Sequence, residues 1–288
     1  MPDGTGLWFL IGGIFIPSSI LDVTLMVIIR SERQTVNKKY GSLFYRLFFV
    51  QGILELSMLC VYITGKLLVR ERLLGNALIM SSNGSIFPMF YYYGMVLYFF
   101  NVQVWGVIVH SIGRFALVCI PESSARHVLE SLTDTVWALI NILVPMTPLC
   151  RQIFQDPVSF MPDSGGNTVL SVPTRVSQAN ATQCIITTSV ATVFCALCNV
   201  GVLRKILQFR REISSRLNYL LEVRLAIVGF VHFLAQFAMT AFHVIVIFTV
   251  DDQPFIQNIR TNYIIPVMAL TFVHPWMLII THGNLRRQ

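Results

Sequence analysis

Seven stretches of the chain are apolar almost throughout, and short clusters of charged and turn-forming residues separate them. They run from Leu7 to Ile29, Leu43 to Ile63, Ile86 to Ile112, Leu132 to Cys150, Ile185 to Leu203, Leu225 to Val250 and Tyr263 to Thr281. A helix that crosses a bilayer needs about 20 such residues. The pattern therefore predicts an all-α membrane protein, a bundle of seven transmembrane helices forming a single domain over residues 1–288. Seven spans take up roughly 150 residues, which leaves loops and tails but no room for a soluble domain. The first run has no basic residue in front of it and is followed by Arg30, Arg33, Lys38 and Lys39. A cleaved leader carries its positive charge in front, so this run reads as a retained first helix entering with its N-terminus outside.

Composition sharpens this picture. Hydrophobic residues make up 55% of the chain and charged residues 12%, against roughly 25% charged in soluble domains; mean hydropathy is +0.66. Most soluble classes are excluded. The net charge of +7 gains meaning from its placement. Fifteen of the 21 Lys and Arg residues fall in the segments around positions 30–46, 114–126, 204–224 and 286–287, and six (Lys66, Arg70, Arg72, Arg151, Arg175, Arg260) in the alternate set. The positive-inside bias then predicts an outside N-terminus and an inside C-terminus. It also turns the basic charge toward anionic lipid or an acidic protein, not nucleic acid. Two N-x-[ST] sequons, at Asn83 and Asn180, fall in segments assigned to the outside and are candidate glycan sites. Cys150 and Cys184 flank the long outer segment and form a candidate disulfide, whereas Cys60, Cys195 and Cys198 read as buried small hydrophobes.

Helix three carries the most information. Tyr92, Val96, Phe99, Gln103, His110 and Arg114 recur at steps of three, four or seven, and at 3.6 residues per turn they share a face. This stripe would join an aromatic cluster at the outer end to an arginine at the inner end. The cluster predicts a ligand pocket of Tyr92, Val96, Phe99 and Phe100, with Thr187 and Thr188 from helix five and Met239 and His243 from helix six. The competing readings are an interfacial aromatic belt and, for His243, a satisfied core histidine. His232 lies eleven residues before His243, close to three turns and hence on the same face.

Ionisable groups inside a bilayer are costly and point to function. Asp22 lies about 12 Å from Arg30 along helix one, and Glu55 about 18 Å into helix two. Glu55, Gln103 and His274 share a similar depth, which predicts a polar cluster holding a cation or proton; the alternative is an ordinary interhelical hydrogen bond. Between helices five and six, Arg204, Lys205, Arg210 and Arg211 alternate with Ile206, Leu207, Ile213, Leu217 and Leu220 at helical spacing. Both helices should thus continue past the membrane as a basic, amphipathic edge suited to a partner helix.

Three segments carry a family resemblance. Ser42-Leu43-Phe44-Tyr45-Arg46-Leu47-Phe48 with Gln51, Ser111-Ile112-Gly113-Arg114-Phe115 with Pro121, and Val273-His274-Pro275-Trp276 with Asn284-Leu285-Arg286 resemble the nematode serpentine chemoreceptors of the srg and srv group. The likeness spans all seven helices. It implies a G-protein-coupled receptor in the plasma membrane of sensory neurons and their cilia, with a small environmental molecule, a heterotrimeric G protein and lipid as partners. Arg114 then becomes the coupling residue, its forked donors suited to the carbonyls of a docking helix; the competing reading is a positive-inside anchor. The departures are definite. Gly113 stands where an acid would flank the arginine, no proline interrupts Leu225 to Val250, His274-Pro275 replaces Asn-Pro, and Leu278 stands in place of a tyrosine. Pro266 and Pro275 still allow a kink in helix seven.

A second class, a small transporter or channel, would use Asp22, Glu55 and the membrane histidines as a conduction path. It lacks paired broken helices at matching positions of two halves. No G-x-S-x-G, H-E-x-x-H or histidine cluster at metal spacing occurs, so neither catalysis nor a metal or other cofactor is expected.

Overall fold

The computed structural model describes residues 11–34, 43–70, 86–120, 124–147, 158–162, 168–212, 216–248 and 264–281. Among these are helix one (Ile16–Gln34, entered through a π-helical turn at Ile11–Phe15) and helix two (Leu43–Arg70). Helix three runs through Ile86–Met89, a π-helical stretch at Phe90–Tyr98, and Phe99–Cys119. Helix four is Asp134–Leu143 with a closing 3-10 turn at Val144–Met146, followed by helix five (Thr174–Glu212), helix six (Arg216–Phe248) and helix seven (Ile264–Thr281). A short helix, Ser124–Ser131, joins three to four, and strands β1 (Ser159–Pro162) and β2 (Thr168–Ser171) pair antiparallel between four and five, with Phe160 opposite Leu170.

Helices are what an apolar chain in lipid must form, because every backbone group then finds its partner within the segment. Local signals set the ends. Thr133, in extended conformation, accepts a hydrogen bond from Val136 N and caps helix four, with Asp134 in the first turn. Pro145 stands in the closing turn of helix four. Among the described residues five helices are long and apolar enough to cross a membrane, and helices four and seven contribute shorter apolar segments, Asp134–Met146 and Val267–Ile280.

The side chains are distributed as a bilayer demands. Ile16, Ile20, Val23 and Val27 of helix one, and Ile186, Val190, Val193 and Leu197 of helix five, are exposed in stripes at helical spacing. Asp22, Gln51, Glu55, Gln103, Arg114 and Gln236 are buried. Helix three is buried over most of its surface from Phe99 to Val118, with a half-buried edge at Trp105, Ile108, Ile112 and Phe115, and forms the axis of the bundle.

Helix five is longer than its apolar run. It begins at Thr174 rather than Ile185 and spans 39 residues, about 58 Å against a hydrocarbon core of about 30 Å. Its polar first turns thus extend beyond the lipid. That accounts for part of the long segment expected as a loop, and β1 and β2 account for more.

Candidate functional site

Two ends of the bundle carry chemistry, the hairpin end and the arginine end. At the arginine end, the segments singled out in the sequence fit into one another. A Cβ on Gly113 would stand 2.6 Å from Leu47 Cδ1, so helix two packs closely on helix three there and a larger residue would have to push that leucine aside. The glycine before Arg114 thus has a packing role, and an acid in its place would displace the Leu47 side chain. Phe115 sits the same way against Gly201 of helix five, 2.7 Å from the Cβ position.

Arg114 itself is 5% exposed. Its Nη1 occupies the space that a Cβ on Gly229 of helix six would fill, and Asn199 Oδ1 of helix five lies 3.1 Å from that same point. One turn toward the bundle centre, the rings of His110 and His232 are 6.3 Å apart, and His110 Nδ1 donates to Gly106 O at 2.9 Å. Val107, His110, Ser111, Arg114, Val228, Gly229 and His232 line a small space of about 10 Å³, room for about one water.

Arg46 has a role that charge counting did not reveal. Its Nε donates to Asp134 Oδ1 at 2.9 Å, Nη1 donates to Glu130 O at 2.8 Å, and Nη2 donates to Leu132 O. One guanidinium thus holds the end of the connecting helix and the start of helix four onto helix two. The signal available in sequence was an arginine inside an apolar run, together with the Thr133-Asp134 helix start.

The profile of a family described as serpentine type 7TM GPCR chemoreceptor Srv matches residues 12–288. The chain belongs to this family. No curated protein matches it. The Srv assignment makes the chain an integral membrane protein of the seven-helix class and a chemoreceptor, and the family is not one of enzymes.

In this Srv receptor the hairpin end is a dense aromatic plug. Phe160 of β1 is fully buried, its ring 5.7 Å from that of Tyr91 and 5.9 Å from that of Phe87. Below it, Tyr62 of helix two stacks on Phe99 at 5.8 Å, and Phe100 meets His243 at 4.8 Å. Met239 is fully buried beside them, and His243 Nδ1 donates to Met239 O at 2.8 Å. The predicted residues Tyr92, Phe99, Phe100, Met239 and His243 all lie at this end. Nothing in the sequence pattern had marked Phe160 or Val158, which enter this core from the long segment after helix four.

Several expectations are corrected. The stripe from Tyr92 to Arg114 is interrupted by the π-helical stretch at Phe90–Tyr98, which changes the residues per turn above Phe99, and both of its ends meet helix five, Tyr92 at Asn180 and Arg114 beside Asn199. Of the threonine pair it is Thr188, fully buried and donating to Cys184 O at 2.8 Å, that points inward, while Thr187 is half-buried. Glu55 and Gln103 belong to separate hydrogen-bond networks. Gln51 Nε2 donates to Glu55 Oε1 at 2.8 Å and to Val102 O at 3.1 Å, with Asp22 of helix one packed on neighbouring Gly52. Gln103 Nε2 instead reaches helix seven, donating to Val267 O at 3.1 Å and to Thr271 Oγ1.

Asn180 is no open glycan acceptor: it lies within helix five, 3% exposed, and its Nδ2 donates to Tyr92 Oη at 3.0 Å. Cys184 carries a free thiol in the core, not a bridge to Cys150, and Cys60 is exposed rather than buried. Cys195 and Cys198 stand in C-x-x-C spacing, yet both are free. Among the described residues no group of three metal-ligating side chains comes together.

Arg204 is exposed and Lys205 half-buried on helix five, while Pro275 is buried within helix seven, where Trp276 Nε1 donates to Ser18 Oγ of helix one at 2.9 Å. Asn83 and Cys150 lie outside the described residues, as do the side chains of Val96, Arg210, Arg211 and His274.

Proposed function

We propose that this receptor takes a small molecule at the hairpin end, among Tyr92, Phe99, Phe100, Met239, His243 and Thr188, and activates a heterotrimeric G protein at the arginine end. In this reading the N-terminus and the hairpin face outward, and the C-terminus and Arg114 face the cytosol, as the Lys and Arg bias requires. The observation that carries the reading is the span of helix three. One buried helix holds Phe100 against helix six at one end and Arg114 against helix six at the other. A ligand that repacks the first contact changes the position of helix six, and with it the second.

The chemistry of the pocket favours a ligand with an apolar body and few hydrogen-bonding groups. Its walls are rings and a thioether, and His243, Thr188 and the Asn180–Tyr92 pair supply the polar handles. At the other end a guanidinium offers forked donors to the terminal carbonyls or carboxylate of an inserted peptide helix.

The test is guanine-nucleotide exchange. The full chain in lipid nanodiscs with a heterotrimeric G protein is expected to accelerate nucleotide uptake, and Arg114→Ala to abolish this at equal surface expression. A wild-type chain that leaves exchange at the G protein's own rate, with each G-protein class in turn, would overturn the coupling reading. For the ligand end, a small-molecule activator of wild type is expected to lose at least tenfold in potency with Phe100→Ala. Unchanged potency would move the pocket elsewhere.

A further inference from the structure

The packing around Arg114 points to a restraint built on the shape of helix six. We propose that Gly229 is the seat of Arg114, a notch in helix six that receives the guanidinium and thereby holds the arginine end of helix six against helix three. This rests on the reading of Arg114 as the coupling residue, and it names how that residue is kept out of action.

Three observations support the seat. First, Nη1 of Arg114 lies inside the volume that any side chain at position 229 would take, and its Cζ stands 3.0 Å from the Cβ position. Second, the seat is shared across helices, since Asn199 Oδ1 of helix five borders it at 3.1 Å. Third, with Arg114 seated, the space lined by Val107, His110, Val228, Gly229 and His232 is about 10 Å³, room for about one water, whereas a helix with its side chains is about 10 Å across. A partner helix cannot enter until helix six moves outward, and that movement takes Gly229 away from Arg114. The same displacement frees the guanidinium to meet the incoming helix, so restraint and coupling are two positions of one side chain.

The sign of a substitution distinguishes the seat from a glycine that merely happens to lie in a helix. Alanine in place of a helical glycine ordinarily stabilises through backbone propensity. At position 229 the added methyl collides with the end of a flexible side chain rather than with backbone. The fold can survive, but Arg114 is unseated.

The experiment is a four-member cycle in nanodiscs: wild type, Gly229→Ala, Arg114→Ala and the double variant, with Gly12→Ala, where a Cβ meets nothing within 4 Å, as the propensity control. Melting temperature is read without any G protein. Gly229→Ala is expected to lower it by a few degrees when Arg114 is present, and to leave it unchanged or raise it when Arg114 is alanine. Equal upward shifts in both backgrounds, matching Gly12→Ala, would overturn the seat. Nucleotide exchange is read in parallel without ligand. Gly229→Ala is expected to raise the basal rate several-fold, and the double variant to show none. If wild type exchanges nucleotide and Gly229→Ala does not exceed it, the restraint is refuted while the coupling reading stands. Should no variant exchange nucleotide while the melting cycle still shows the interaction, the seat stands and the coupling reading falls.

Discussion

The two ends of the bundle are packed by opposite means. At the hairpin end large rings fill the space: Phe160, Tyr91, Tyr62, Phe99 and Phe100 lie ring against ring between helices two, three and six and the β-hairpin. At the arginine end the helices approach through glycines, and Leu47, Phe115 and Arg114 each occupy the space beside one of them. Rings in a full core give cohesion and tolerate rotamer exchange with a ligand ring. Glycine seats give close backbone approach and an abrupt loss of fit once either partner moves, because packed interfaces are bistable rather than continuously deformable. Binding suits the first kind of packing, and switching suits the second.

The largest effect expected from breaking this contrast is at the plug. Phe160→Ala removes a fully buried ring and should cost about 3–5 kcal/mol by the usual scale for aromatic truncation, measured by thermal unfolding in nanodiscs. Ligand-free nucleotide exchange should stay at the wild-type level, since Arg114 keeps its seat. A cost below about 1 kcal/mol would show that the hairpin rests on the bundle without being part of its core.

At the arginine end, Gly113→Glu restores an acid beside Arg114 and tests why it is missing. The Cβ alone would stand 2.6 Å from Leu47 Cδ1, so overpacking should cost about 1–3 kcal/mol. Adding Leu47→Ala should recover part of that loss. If the glutamate is tolerated without the second change, the glycine is not there for packing.

Arg46→Lys is expected to have a smaller effect. Lysine keeps the charge but cannot reach Asp134, Glu130 O and Leu132 O together. Two hydrogen bonds to carbonyls are lost, at about 1 kcal/mol each; the ion pair adds little, because Asp134 is 38% exposed. Hydrogen exchange over Ser124–Ser131 should speed up selectively, and unchanged protection there would remove the clasp role.

What the sequence discloses about these ends follows from the physics of each. Seven apolar runs are legible because lipid imposes the same requirement on every spanning residue. Arg114 is legible because a charge at the end of an apolar run is rare. The seat is not, since Gly229 among apolar neighbours carries no mark until a guanidinium is found in the space beside it. Nor does the run of rings from Phe90 to Tyr98 announce a π-helix, although that stretch decides which way Tyr92 faces relative to Phe99. The unbroken apolar run begins at Ile185, but helix five begins at Thr174 because polar residues also form helix. This is why Asn180 looked like a loop sequon.

Asn180 provides the smallest and most discriminating test. Its Nδ2, the atom a glycan would modify, is engaged with Tyr92 Oη across helices five and three. Asn180→Ala should cost about 1 kcal/mol for a neutral hydrogen bond, and Tyr92→Phe about the same. The double variant should cost little more than either alone, because each single change already removes the shared bond. On glycosidase treatment the gel mobility of Asn180→Ala should shift by the same amount as that of wild type, so that any glycan present is assigned to another site. A glycan that disappears with Asn180→Ala would mean that helix five begins beyond residue 180 in the membrane and that Tyr92 is free to meet a ligand. The hairpin end would then be an open vestibule, and its contrast with the glycine-packed arginine end would be one of access as well as of packing.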